Sequence, residues 1–126
     1  MTAKIEKSVA LKHGRLAEDK ALDYLRNNGL KFIARNFHAP YGEIDLIMHD
    51  KNIVVFIEVR YRVNNNFVSA LESIDTRKCD RIIATCQNYQ QRNLNAAKMI
   101  TRFDVVIITG EINTPKIEWI KNAFQA

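Results

Sequence analysis

The chain has 126 residues, 47% of them hydrophobic and 26% charged, with a net charge of +5 at neutral pH. This length supports one domain over residues 1–126 with an ordinary core, so neither a disulfide framework nor a structural metal is required. No apolar run is long enough to cross a membrane, and the N-terminus lacks the apolar stretch of a secretory signal, so a cytoplasmic protein without a membrane partner is expected.

In chain order, a first helix is expected from about Ser8 to Asn28, stopped by Gly29. Ala10, Gly14, Ala17, Ala21 and Leu25 form a stripe of mostly small residues at helical spacing, which lets this helix lie close to whatever it covers. Glu18 edges that stripe and can reach toward a neighbouring sheet. Leu30 to His38 reads as a first strand, and Ala39-Pro40-Tyr41-Gly42 turns the chain into the next.

Two apolar runs follow, Gly42 to Met48 and Ile53 to Arg62, parted by the polar His49 to Asn52. A turn centred on Lys51 and Asn52 makes them a hairpin with Asp45 opposite Glu58 and Glu43 opposite Arg60. A slip of two residues pairs Asp45 with Phe56 or Arg60 instead. Alternation places Ile44, Leu46 and Met48 on one face with Ile53, Val55, Ile57 and Val59. The other face carries Ile47, Val54 and Phe56 at the turn end, then Asp45, Glu58 and Arg60 at the open end. A hairpin apolar on both faces belongs inside a layered α/β domain, where water is scarce. Two carboxylates about 5 Å apart repel by roughly 3 kcal/mol at an effective dielectric of ~20. Either one of them takes a proton or a divalent cation sits between them.

After Arg62 the chain becomes polar and loop-like. A second helix begins near Asp75, its N-cap, with Cys79, Ile82, Ile83, Cys86 and Tyr89 or Gln90 facing the core. Arg77, Arg81, Asn88 and Arg92 form its outer stripe. Cys79 and Cys86 are read as reduced thiols on the apolar face. Thr101 to Thr109 is a fourth strand, with Phe103, Val105 and Ile107 on one face and Val106 and Ile108 on the other. Asp104 lies between these apolar positions, where it either reaches the acidic site or serves as a structural hydrogen-bonding group. Lys116 to Ile120 is a short last strand, followed by a tail. The order of helix, three strands, helix and two strands predicts a central mixed β-sheet of about five strands flanked by helices.

The charge is uneven. Arg60 to Arg102 holds eight basic and three acidic residues, while the rest of the chain is balanced. A basic surface beside a carboxylate cluster suggests a polyanionic partner. His13, His38 and His49 show no ligand spacing, and neither a Gly-rich phosphate loop nor a Ser-His-Asp arrangement can be drawn.

A helix glutamate, a strand aspartate and Glu-x-Lys on the next strand form the skeleton of the PD-(D/E)XK nucleases, which Glu18, Asp45 and Glu58-Val59-Arg60 resemble. Further motifs extend the likeness: Gly14-x-x-Ala17-Glu18, Asn36, Gly42-Glu43-Ile44-Asp45-Leu46-Ile47, Phe56 to Arg62, Arg102-Phe103-Asp104-Val105-Val106 and the closing Trp119 to Phe124. Together they resemble the YraN-like family, small bacterial proteins similar in fold to archaeal Holliday-junction resolvases.

The resemblance implies a restriction-endonuclease-like fold and a Mg²⁺- or Mn²⁺-dependent endonuclease acting on DNA, branched DNA included. Asp45 and Glu58 are then the metal ligands together with the Val59 carbonyl, and Glu18 assists the metal or positions water. Carboxylate and carbonyl oxygens are the hard donors such ions need. Arg60 stands where the superfamily carries lysine. It can stabilise a phosphate but not accept a proton. Arg62, Arg77, Lys78, Arg81 and Arg92 are the expected backbone contacts to nucleic acid. Related resolvases act as dimers, which makes a homodimer an expectation too. The alternatives are a non-catalytic nucleic-acid-binding module on the same fold, or an adaptor whose basic helix meets an acidic protein.

Overall fold

The computed structural model describes residues 3–64 and 66–125, with side chains from residue 13 onward. Helix α1 (Ala3–Asn27) leads into strands β1 (Lys31–Ala39), β2 (Gly42–Asp50) and β3 (Ile53–Arg62). Helices α2 (Phe67–Glu72), α3 (Thr76–Arg92) and α4 (Leu94–Ala97) then carry the chain to β4 (Ile100–Thr109), and β5 (Lys116–Phe124) ends the fold. The five strands form one sheet in the order β1-β2-β3-β4-β5, in which only the β3–β4 pair is parallel. This is the expected restriction-endonuclease-like mixed sheet flanked by helices.

Each face has its own core. Ala17, Ala21, Leu22 and Leu25 of α1 pack with Leu46, Met48, Val55, Ile57, Val106 and Ile108. The small side chains of the stripe bring the helix close to the sheet, as expected; Ala10 lies outside the described side chains. Gly29, at φ +94°, ends the helix in a conformation that costs glycine little. On the opposite face Ile82, Cys86 and Tyr89 of α3 cover Ile44, Ile47, Val54, Phe56 and Phe103. Ala70 of α2 packs with Val105 and Ile107 of β4. Both cysteines are free thiols, Cys86 buried and Cys79 partly so. Among the described residues no helix is long and apolar enough to cross a membrane.

Asp75 caps α3 by accepting a hydrogen bond from the Lys78 amide at 2.8 Å. The core face of that helix differs at one position from the periodicity: Thr85 is fully buried, its hydroxyl satisfied by the Arg81 carbonyl at 2.8 Å. Two short helices were not legible in the sequence. The polar stretch after Arg62 includes the N-cap of α2, where Asn66 Oδ1 accepts from the Ser69 amide at 2.9 Å.

The expected C-terminal tail is instead the second half of β5, which runs on to Phe124. Its register against β4 shifts between Phe103 and Val105, where Asp104 lies fully buried. Arg102 donates to both Asp104 oxygens at 2.8 Å, and Trp119 Nε1 and the Asn122 amide each add a bond at 2.9 Å. Arg102 is itself held by Asp50 at 3.0 Å. Asp104 is therefore a structural knot that ties β5 to β4 across the irregularity.

Asp104→Ala removes both oxygens that these donors share, leaves the Trp119 and Asn122 donors unpaired and leaves Arg102 its contact with Asp50. We expect a loss of about 3 kcal/mol in urea unfolding, the scale for breaking a buried charge pair from one side. A loss below about 1 kcal/mol, the net value of an ordinary hydrogen bond, would remove the knot from the account.

Candidate metal centre

The β2–β3 hairpin folds in the anticipated register, from Asp50 opposite Ile53 to Leu46 opposite Ile57. Lys51 takes a φ of +56° at its tip. The ladder stops one step before Asp45 and Glu58. On the other side of β2, the pairing with β1 passes from Arg35–Leu46 to Phe37–Ile44 and omits Asn36 and Asp45. Asn36 has turned to φ +55°, a left-handed conformation that asparagine tolerates better than most residues. Strand β2 is thus released from both neighbours at Asp45.

One consequence corrects the alternation. Ile44 packs under α3 beside Ile47, not with Leu46 and Met48 on the α1 face. The break at Asp45 shifts the residues before it by one face.

The freed segment meets α1. Glu18, Glu43 and Asp45 each offer a carboxylate oxygen within 4.8 Å of the others. Arg35 holds Glu18 at 3.2 Å, bonds to Asp19, and donates to the Arg15 carbonyl at 3.2 Å, clamping α1 onto β1. With its amide nitrogen turned toward the acids, Asn36 donates to Glu43 Oε1 at 2.8 Å and to Glu18 Oε1 at 3.1 Å. Asp45 Oδ2 accepts from the Val59 amide at 2.8 Å. Val59 therefore meets the acids through its N–H; the expectation for its carbonyl stands apart from this contact.

Glu58, only 5% exposed, faces Arg60 at 3.2 Å on its own strand and Lys78 at 3.7 Å from α3. Glu43 does not pair with Arg60; it lies 3.6 Å from His38. Glu18, Glu43, Asp45, Glu58, Arg60 and Lys78 line one cavity of about 200 Å³, with Gly14 and Ala17 of the small-residue stripe forming part of its wall.

The expected catalytic residues Glu18, Asp45, Glu58 and Arg60 thus converge. Of the expected nucleic-acid contacts, Lys78 belongs to this cavity, and Arg77, Arg81 and Arg92 lie exposed along α3. Arg92 also sits over the Phe37 ring at 5.7 Å. Arg62 ends β3 and donates to the Tyr61 carbonyl at 2.9 Å. Glu43 was missed as a candidate ligand, although it stands two residues before Asp45. A straight strand would have paired it with β3, and only the irregularity turns it to α1.

The electrostatics follow from this crowding. Burial, then the charge of Glu58, pushes Asp45 up to about 8, against the pull of the Val59 amide; Glu18 and Glu43 add to the rise. Burial also raises Glu58, with Arg60 and Lys78 opposing. Burial raises Glu18 despite Arg35. Among the described residues Lys or Arg ion pairs reach Glu18 and Glu58, but none reaches Asp45 or Glu43. The donor set of oxygen-only, crowded carboxylates short of positive charge fits a small hard divalent cation such as Mg²⁺ or Mn²⁺.

A mixed sheet with this order and a carboxylate cluster where a helix meets two inner strands define a PD-(D/E)XK-like domain with a candidate metal centre. Comparison with known proteins gives the family. The profile of the Uncharacterised protein family UPF0102 matches residues 17–108. A UPF0102 protein of Nitrosococcus oceani is 46% identical over 112 residues, covering 89% of this chain and 90% of its own. One from Legionella pneumophila is 46% identical over 113 residues, covering 90% and 94%. One from Pseudomonas putida is 42% identical over 113 residues, covering 89% and 92%. The chain belongs to the UPF0102, or YraN-like, family.

A carboxyl raised by folding binds its proton more tightly in the folded state, so stability falls as pH climbs from the ordinary carboxylate range toward 8. Asp45→Asn keeps an acceptor for the Val59 amide and removes the charge. In metal-free buffer near pH 8.5 it should melt above the wild type by about 4 °C or more, the scale of 1 kcal/mol for a domain of this size. Near pH 5 the gap should close. Added Mg²⁺ or Mn²⁺ should raise the wild-type Tm at the higher pH and leave Asp45→Asn unmoved. A variant that melts lower at both pH values would show Asp45 to be a structural acceptor only.

Proposed function

We propose that this protein is a metal-dependent endonuclease that hydrolyses phosphodiester bonds in DNA, including branched DNA. The observation that carries this reading is the meeting of Glu18, Glu43 and Asp45 in the cavity that also receives Glu58, Arg60 and Lys78. A divalent cation held by Asp45 and its neighbouring carboxylates, with Glu58 and the Val59 carbonyl as further ligands, would polarise a phosphate and acidify a water. Glu18, held by Arg35 and Asn36, is placed to fix a ligand or orient that water. Asn36 and the Val59 amide keep the carboxylates at their stations before substrate arrives, which limits the reorganisation needed during reaction.

Arg60 and Lys78 bring positive charge to the same wall. Arg60 Nε is buried with no hydrogen-bond partner among the described residues, which leaves it a donor for a phosphoryl oxygen. Arg77, Arg81 and Arg92 on the exposed side of α3, with Arg62 at the end of β3, would bind the backbone without reading sequence.

Arg60 also favours a second reading. A guanidinium retains its proton at any physiological pH, so a role as proton acceptor is closed to this position. A nucleic-acid-binding module that keeps the fold without turnover is consistent with that substitution.

The two readings separate in one assay. Purified protein is incubated with linear, flapped and four-way-junction DNA, and with RNA, in Mg²⁺ or Mn²⁺, beside Asp45→Asn and Glu18→Gln variants. We expect cleavage of DNA that each variant lowers by at least about 100-fold, the scale of losing a charge-stabilising or acid–base group. Cleavage undiminished in both variants would exclude this cavity as its source. Salt-sensitive binding without cleavage would establish the module.

A further inference from the structure

A second, larger cavity opens beside the metal centre. It lies between the β1–β2 turn and α3, has a volume of about 660 Å³, and is lined by His38, Pro40, Tyr41, Gly42, Glu43 and Arg81 among others. The two cavities share Glu43. Gly42 brings the turn against α3: its φ is +154°, and a Cβ there would lie 3.5 Å from Thr85 Oγ1 and 3.9 Å from Arg81 Cβ. The turn thus runs beside the helix with room for no more than ordinary contact at this position, while Tyr41 next to it is 56% exposed. A tyrosine this open, on a short turn and away from both cores, is not explained by packing.

We propose that this trough is a subsite for an unpaired nucleotide flanking the phosphate held at the metal centre, with its base stacked on Tyr41 and its phosphate near Arg81. The proposal rests on the nucleic-acid reading of the neighbouring cavity and adds a substrate feature to it. The sizes of the cavities separate their roles. About 200 Å³ accommodates an ion and a phosphate group, whereas the trough, about 660 Å³ and widely open to solvent, leaves room for a base and its sugar at the surface.

The chemistry of the lining agrees. An aromatic face offers stacking to any base whose own face is uncovered, and a neighbouring arginine adds phosphate attraction and a cation for the base. Glu43 would repel a phosphate: its Oε1 is turned toward Asn36 and the acids, but its Oε2 lies 3.6 Å from His38 in the trough lining, which assigns the phosphate to the Arg81 side of the trough, away from Glu43. Bases stacked inside a closed duplex present no free face to Tyr41. The trough therefore selects flaps, gaps and other substrates with an unpaired nucleotide over uninterrupted duplex.

The test uses the full chain in EDTA, with binding measured by anisotropy of a labelled single-stranded oligonucleotide and by competition with covalently closed circular duplex. Wild-type protein should prefer the single strand. Tyr41→Ala should weaken single-strand binding about tenfold while Tyr41→Phe stays within about twofold, the scale of one base–aromatic stack. Closed duplex should bind all three equally. Arg81→Ala should lower the slope of log affinity against log salt by roughly 0.7, the signature of one lost phosphate contact on a single strand.

Unchanged single-strand affinity in Tyr41→Ala, or an equal loss for closed duplex, overturns the subsite. Metal-dependent cleavage by that variant would then leave the endonuclease reading standing. Wild-type protein that binds neither probe overturns the subsite, and the endonuclease reading falls with it only if cleavage is also absent in Mg²⁺ or Mn²⁺.

Discussion

The fold is organised around a half-buried carboxylate that no Lys or Arg ion pair reaches among the described residues. Asp45 sits where β2 has left both of its neighbours, fixed at one oxygen by the Val59 amide and confronted by Glu18, Glu43 and Glu58. Ordinary sheet pairing would have forbidden this. Continuing the β2–β3 ladder one step would set Asp45 directly against Glu58, an arrangement that destabilises a sheet. The strands part instead, and the diagonal bond to Val59 replaces the lost ladder contact. The repulsion that remains is a local cost of folding, which a proton or a divalent cation relieves. Positions that violate local rules in a well-packed domain are where function is expected.

Much of this was legible in the residues themselves. The apolar periodicity of the hairpin located its strands, and the polar break at His49 to Asn52 set the register. The stripe through Ala17, Ala21 and Leu25 identified the buried face of α1. The site became less legible where regularity ended. Simple alternation assigned Ile44 to the wrong core and hid Glu43, because both depend on the left-handed turn at Asn36 and the missing pair at Asp45. Nothing in a two-residue period announces such a break. Asparagine at 36 was the available signal, since it is one of the few residues that favour that conformation.

The C-terminal half of β5 was obscured for a related reason. Asn122 has a φ of +54°, so its strand pattern is interrupted, and the segment is held by Asp104 through a side chain as well as by its ladder. Asp104 and Asp45 make an instructive pair. Both are aspartates within otherwise apolar strands, indistinguishable by local pattern. Asp104 is surrounded by donors from Arg102, Trp119 and Asn122, which make its charge part of the architecture. Among the described residues Asp45 has one donor and three acidic neighbours. Asp104 is fully buried and Asp45 only partly so, but it is their partners that mark one as structural and the other as a candidate metal ligand, and partners arrive from distant parts of the chain.

Position 60 carries arginine where the PD-(D/E)XK nucleases that this chain resembles carry lysine. Arg60 meets Glu58 from its own strand, and Lys78 meets the same carboxylate from α3. Lys78 reaches this point because Asp75 caps the helix through the Lys78 amide, fixing the first turn of α3 beside the acids. The parallel return from β3 to β4 requires a crossover, and here the crossover delivers a second cation to the end of β3. The site therefore has both kinds of positive group on one acid. The guanidinium carries permanent charge and a planar set of donors suited to a phosphate. The ammonium, on a flexible stem, can follow a phosphate or a water as it moves. With arginine at position 60, α3 supplies the flexible cation through Lys78.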